Sequence, residues 1–164
     1  MFFSLNNIDP IDFALVILFA ATLFTLLWGF DSLTHKKLVE IDITDKELQT
    51  HRNILLSSLL MEISLVLMFW NPWVLLPFFI AFFITRLTHE FIDELHYHTD
   101  RCDSYENYLH LGMWGSVLTK TFGMFVWGFF LQYKGVLDLP IYIYIWGGIL
   151  VISMAIIGFF EWKR

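Results

Sequence analysis

Long apolar stretches dominate this chain and limit the folds that it can adopt. Five of them follow one another, at about residues 11–30, 54–70, 74–87, 109–132 and 140–160. A helix needs about 20 mostly apolar residues to cross the hydrocarbon core of a bilayer. Hydrophobic residues make up 57% of the 164 residues, which is more than a soluble domain of this length can bury. The sequence therefore predicts an all-α integral membrane protein with about five transmembrane helices.

A tight turn is expected between the second and third apolar stretches, at Asn71, Pro72 and Trp73. Proline disfavours helical backbone at the residue before it, which here is Asn71. One long kinked helix over both stretches is the alternative, and it would exceed the length that a bilayer requires. We therefore predict a helical hairpin at this position.

The distribution of basic residues predicts the orientation of the chain. Connections on one side of the predicted membrane contain Lys36, Lys37, Lys46, Arg52, Arg101, Lys163 and Arg164. On the opposite side only Lys134 lies outside the apolar stretches. Cytoplasmic loops carry the excess of lysine and arginine, so the N-terminus is expected outside and the C-terminus in the cytoplasm.

Polar segments at about residues 31–53 and 88–108 are expected to extend the helices into the cytoplasm. Thr44 followed by Glu47 matches a capping box at a helix start. No glycine or proline interrupts residues 88–98. Short connections make neighbouring helices antiparallel, which predicts a four-helix bundle with the fifth helix outside it. Residues 1–164 are interpreted as a single polytopic membrane domain.

All six histidines lie in or beside this cytoplasmic layer, together with carboxylates at helical spacing. Residues three or four apart share one face of a helix. His89, Asp93 and His96 are expected on one face of the third helix, with Glu90 and Glu94 elsewhere. The candidate metal ligands are Asp31, His35, His51, His89, Asp93, His96, Glu106 and His110. Residues that could support or replace them are Glu47, Glu62, Glu90 and Lys120.

This set of side chains is typical of sites for iron, manganese or zinc. Imidazole and carboxylate are abundant, whereas Cys102 is the single thiol. Dinuclear carboxylate sites are built from facing helices of a bundle, so two iron ions are the leading prediction, with zinc or manganese as alternatives. A structural interpretation is the alternative. Short outer loops leave few other places for polar residues, so some clustering is expected without a metal, and exposed carboxylate–histidine pairs contribute little to stability.

Three further ionisable residues are predicted to lie near or within the membrane. Glu62 and Lys120 fall at similar depth, which favours a structural ion pair over a role for Glu62 as a ligand or proton carrier. Arg86 is expected to extend to lipid head groups, with binding of an anionic substrate as the alternative.

The leading functional hypothesis is a di-iron oxidoreductase that acts on a lipid-soluble small molecule at the cytoplasmic face. The first alternative is a zinc- or manganese-dependent hydrolase of a lipid phosphate. The second is a non-catalytic accessory subunit or haem-binding membrane anchor. Glycines in the fourth and fifth helices are compatible with a homo-oligomer or a larger membrane complex. The net charge of −6 and the lack of a basic stripe argue against a nucleic-acid partner.

Overall fold

The protein folds entirely into helices in the part of the chain that the computed structural model describes. This part is the backbone of residues 8–42, 44–98 and 104–163, with side chains except for 35–42, 98, 104 and 106. The long helices are α1 (Pro10–Asp42), α2 (Asp45–Leu67), α3 (Pro72–Ile92), α4 (Ser104–Phe125) and α5 (Ile141–Trp162). A π-helical turn continues α3 over Asp93–His98, and another continues α4 over Val126–Phe130. The predicted all-α class is confirmed.

Within the described residues, three helical stretches are long and apolar enough to cross a membrane. They are Pro10–Thr34, Pro72–Tyr97 and Ile141–Trp162. The most apolar window of each is largely unburied, with 28%, 11% and 11% of its residues inside the protein. Helices α2 and α4 do not reach the same apolarity, because polar and small residues interrupt them. The spans expected at 54–70 and 109–132 therefore stay predictions.

The turn between α2 and α3 forms where the sequence placed it. Asn71 caps α3, because its side-chain oxygen accepts a hydrogen bond of 3.2 Å from the backbone N–H of Val74. Pro72 occupies the first turn of α3, where its missing N–H removes no helical hydrogen bond. The predicted hairpin is confirmed, and α2 and α3 pack along each other.

The start of α2 and the end of α3 also follow the sequence. Thr44 caps α2 by accepting a hydrogen bond of 3.3 Å from the backbone N–H of Glu47. The helical backbone of α3 continues beyond the apolar stretch as far as His98. Both helices therefore extend past their apolar segments and carry polar side chains at the same end of the structure.

Helix α1 packs against α4 and α5, and the contact with α4 depends on glycine. A Cβ atom on Gly112 would lie 2.8 Å from Cδ1 of Leu27, and one on Gly123 would lie 3.0 Å from Cγ1 of Ile17. Two glycines of α4 thus allow the side chains of α1 to approach its backbone. Since α2 packs on α3 and α1 on α4 and α5, the ends of all five helices meet around one space.

Candidate functional site

A cavity of about 120 Å³, named the polar cavity after its ionisable lining residues, lies between the five helices. Its ionisable lining residues are Asp31, His51, Arg86, Glu90, Asp93, Glu94, His110 and Glu161. Its apolar lining residues are Phe24, Trp28, Ile54, Leu55, Met113 and Trp114. All five helices contribute, so the cavity brings together side chains that are far apart in the sequence.

His51 of α2 pairs with Asp93 at the end of α3. Its Nε2 lies 3.0 Å from Oδ1 of Asp93, and both side chains are mostly buried. Burial alone would lower the pKa of His51. The hydrogen bond and charge of Asp93, together with the charges of Glu47 and Glu161, outweigh burial and raise the pKa above 6.5. The protonated imidazole is thus stabilised at one side of the cavity.

His110 of α4 lies between two carboxylates from different helices. Its Nδ1 is 2.6 Å from Oε1 of Glu94, and its Nε2 is 3.5 Å from Oδ1 of Asp31. The His110 side chain is 11% exposed. Both ring nitrogens therefore face a carboxylate within the cavity wall, one from the C-terminal half of α1 and one from the π-helical turn after α3.

The π-helical turn places two consecutive carboxylates on the cavity. Asp93 and Glu94 both line it, although adjacent residues of an α-helix point about 100° apart. Wider π turns occur often at functional sites, because they change the direction of a side chain without breaking the helix. The π-helical backbone thus allows both Asp93 and Glu94 to line the cavity.

Arg86 is buried in the cavity wall, with only 3% of the residue exposed. Its Nη2 donates to Oε1 of Glu90, one helical turn further along α3. Neither Nε nor Nη1 of Arg86 has a hydrogen-bond partner within the described part of the chain. The expectation that Arg86 extends to lipid head groups is wrong, because its side chain points into the protein rather than along the helix surface.

The structure brings together some of the predicted ligands and separates others. Asp31, His51, Asp93 and His110 line the cavity, and so does the predicted supporting residue Glu90. His89 does not line it, and His96 lies at a separate shallow groove beside Thr88. The expectation that Glu90 and Glu94 point elsewhere is wrong, because both line the cavity with Asp93, whereas His89 and His96 do not.

The remaining predicted residues lie deeper in the structure or outside its described side chains. Lys120 donates to Glu62, which confirms the expected ion pair between α4 and α2. At 1.5 Å per residue, Glu62 lies about 16 Å along α2 from His51. Glu47 is buried near the cavity but does not line it. The side chains of His35 and Glu106 lie outside the described residues.

Three cavity residues were missing from the predicted ligand set: Arg86, Glu94 and Glu161. The spacing of Arg86, Glu90 and Glu94, four residues apart each time, is a signal that could have found the correct face of α3. Glu161 gave no such signal, because it is the only carboxylate of α5. Its position adds α5 to the cavity lining, whereas the sequence predicted a four-helix bundle with the fifth helix outside it.

The cavity side chains form pairs rather than one convergent set. Among the residues that the structure describes, no group of three or more His, Cys, Asp and Glu side chains is placed to hold a metal ion. Comparisons with protein-family models, with curated proteins and with solved structures give no match. Arguments on function therefore rest on the chemistry of the cavity.

Proposed function

We propose that this chain is a membrane-embedded metalloprotein that binds two iron ions in the polar cavity and oxidises a lipid-soluble substrate. The observation that carries the proposal is the meeting of two imidazoles and five carboxyl groups from five helices around one small space. Imidazole and carboxylate together are the ligands that proteins use for iron, manganese and zinc.

The charge of the cavity supports divalent cations. Among the residues that the structure describes, the lining has five carboxylates and one guanidinium, which leaves four negative charges. Protonation of both histidines reduces this excess to two. Two divalent cations, bound in place of the two imidazolium protons, would balance it completely. A buried excess of charge of one sign is costly. The negative charge of the cavity is therefore better compensated in the metal-bound state.

The distances within the histidine–carboxylate pairs are close to those between neighbouring ligands of one metal ion. Two ligand atoms that are each about 2.1 Å from an ion and at right angles lie about 3 Å apart. His51 Nε2 and Asp93 Oδ1 are 3.0 Å apart, and His110 Nδ1 and Glu94 Oε1 are 2.6 Å apart. Each pair could therefore bind an ion through small movements of its side chains.

The second carboxylate at His110 fits the same proposal. A histidine that binds a metal through one ring nitrogen usually donates its other N–H to a carboxylate, which fixes the orientation of the ring. Asp31 lies 3.5 Å from His110 Nε2, opposite the nitrogen that faces Glu94. Asp31 would then orient His110, while Glu94 would share the ion with it.

The carboxylate and histidine ligands support iron, and the apolar lining residues support a lipid-soluble substrate for its oxidative reaction. Facing helices that carry carboxylates and histidines are the usual way to build di-iron centres. The six apolar lining residues would contact the hydrocarbon part of an acyl chain, quinone or polyisoprenoid. When bound, iron would supply the redox chemistry with dioxygen as oxidant, and the chain would supply ligands, orientation and an apolar surface.

The finer topology belongs to the same proposal. We place five spans across the bilayer, with α1 to α4 as an antiparallel bundle whose cytoplasmic end contains the cavity. The excess of lysine and arginine at that end supports an outside N-terminus and a cytoplasmic C-terminus. The cavity would then lie close to the lipid head groups of the inner leaflet.

Metal analysis of the purified protein tests the proposal. We expect about two irons per chain by inductively coupled plasma mass spectrometry, and loss of at least one in His110→Ala and Asp93→Ala. His96→Ala is the matched control, because it removes an imidazole from the same region but not from the cavity. We expect it to keep its iron.

Other results would change the proposal in defined ways. Zinc or manganese in the same stoichiometry would favour hydrolysis of a lipid phosphate, and a Soret absorption band would favour haem. No bound metal after iron and zinc have been added back would refute metal binding. The cavity would then be an ion-pair network that joins the helix ends.

A further inference from the structure

Arg86 has two hydrogen-bond donors without a partner in the part of the chain that the structure describes. The residue is 3% exposed, yet its Nε and Nη1 have no partner among the described residues. Buried polar groups of folded proteins almost always have a partner. Because a guanidinium cannot lose its proton in a protein, both donors stay positively charged within the cavity wall to which Arg86 belongs.

Three carboxylates near Arg86 are paired with positive groups when both histidines are protonated, and the described cavity residues then keep a net charge of −2. Glu90 accepts from Nη2 of Arg86, Asp93 pairs with His51, and Glu94 pairs with His110. An entering anion would therefore depend on Nε and Nη1 of Arg86, the two donors that have no partner among the described residues. Arginine is the side chain best suited to carboxylate and phosphate oxygens, because its donors are planar and permanently charged.

The apolar part of the same wall selects for a molecule with a hydrocarbon chain. Trp28, Leu55 and Met113 lie on the cavity together with Arg86. Arg86 itself belongs to a stretch, Pro72–Tyr97, that is apolar enough to cross a membrane. A free inorganic anion would satisfy the guanidinium but would leave the apolar surface uncovered.

We propose that Arg86 binds the anionic head group, a carboxylate or a phosphate ester, of an amphiphile whose hydrocarbon chain lies against the apolar wall. The proposal rests on the proposed function only in calling this amphiphile the substrate, since the binding itself needs no metal. Arg86 is then the residue that positions the substrate end opposite the histidine pairs.

Nitrogen NMR of the arginine side chains tests this proposal on the full chain in neutral detergent micelles. The chain has four arginines, so labelling with ¹⁵N-arginine gives four Nε resonances. Single lysine substitutions at Arg52, Arg101 and Arg164 assign the Arg86 resonance by elimination, with Arg86 itself left in place. The probes are laurate and dodecyl phosphate, with dodecanol as the neutral match and with acetate and inorganic phosphate as head groups alone.

We expect a saturable shift of the Arg86 resonance with laurate or dodecyl phosphate, and no comparable shift of the other three resonances. Dodecanol should leave the Arg86 resonance in place, and acetate and phosphate should bind at least 10-fold more weakly than their dodecyl forms. The Arg86→Gln variant should bind the preferred amphiphile about 10-fold or more weakly, because one charge-assisted hydrogen-bond partner is lost.

Several results would overturn the proposal. An unmoved Arg86 resonance, equal shifts of all four arginines, or an equal effect of dodecanol would each show that Arg86 does not recognise the head group. Equal affinity for inorganic phosphate and dodecyl phosphate would refute the amphiphile. The titrations are run on metal-free and on iron-loaded protein, so that binding without any iron uptake would refute the proposed function and leave the role of Arg86 intact.

Discussion

The ion pair between Glu62 and Lys120 gives a quantitative prediction about how α2 and α4 are held together. The Lys120 side chain is 6% exposed and that of Glu62 is 28% exposed. Removing one partner of a buried pair leaves a charge without compensation, which costs about 3–5 kcal/mol. We expect Glu62→Gln to destabilise the fold by an amount in this range, because it leaves the more deeply buried lysine unpaired.

The opposite substitution should cost less. Lys120→Met leaves the partly exposed Glu62 carboxylate, for which we expect a loss of about 1–3 kcal/mol. In the double variant no charge remains, so the total loss should be about 1 kcal/mol. The two single losses sum to about 4–8 kcal/mol, so the two substitutions should couple by about 3–7 kcal/mol. Lys134→Met is the matched control, since Lys134 is exposed, and it should change stability by less than about 0.5 kcal/mol.

The assay is reversible unfolding in mixed micelles of neutral detergent and dodecyl sulfate, followed by tryptophan fluorescence. Seven tryptophans provide the signal. If the loss in the double variant equals the sum of the two single losses within about 0.5 kcal/mol, Glu62 and Lys120 do not interact and the packing of α2 near α4 is incorrect.

Two further predictions concern His51 and Tyr133. The folded-state pKa of His51 is raised above 6.5, so its contribution to the stability of the metal-free protein is full below pH 6.5 and is lost as the pH rises through the raised value. Unfolding of the metal-free protein over a pH series should show this loss, and His51→Gln should abolish it. Iron affinity should change in the opposite sense and increase over the same pH window, because a metal ligand must first lose its proton. Tyr133→Phe should destabilise the fold by about 1 kcal/mol in the same unfolding assay, because the buried hydroxyl donates a hydrogen bond of 2.9 Å to the carbonyl of Leu65. This bond joins the α4–α5 connection to α2. An unchanged stability would show that the bond does not form.

The course of the chain could be predicted from local signals. Apolar length identified the helices, and the residue before Pro72 located the hairpin, because proline restricts its neighbour wherever it stands. Thr44 marked the start of α2 through its cap. The pairing of Glu62 with Lys120 followed from depth alone, since two buried charges at one level of a bundle are stable only together.

The composition of the cavity could be predicted only in part. Helical spacing shows which residues share a face, but it does not show which face turns inward. For α3 the structure selects the face of Arg86 and Glu90 over that of His89. The rotation depends on packing against α2, where Met61 and Leu65 are fully buried. The location of Glu161 at the cavity depends on how α5 packs on α1, and no local pattern in α5 predicts that packing.

Iron K-edge X-ray absorption on the iron-loaded protein tests the central claim most directly, because it reports the atoms around the metal. The account predicts a first shell of nitrogen and oxygen at about 2.1 Å without sulfur, and an iron neighbour at about 3.5–4 Å. His110→Ala should weaken the imidazole and iron scattering, whereas His96→Ala should leave the spectrum unchanged. A shell of water oxygens alone, a sulfur ligand, or equal spectra for the wild-type protein and His110→Ala would contradict a dinuclear centre in this cavity.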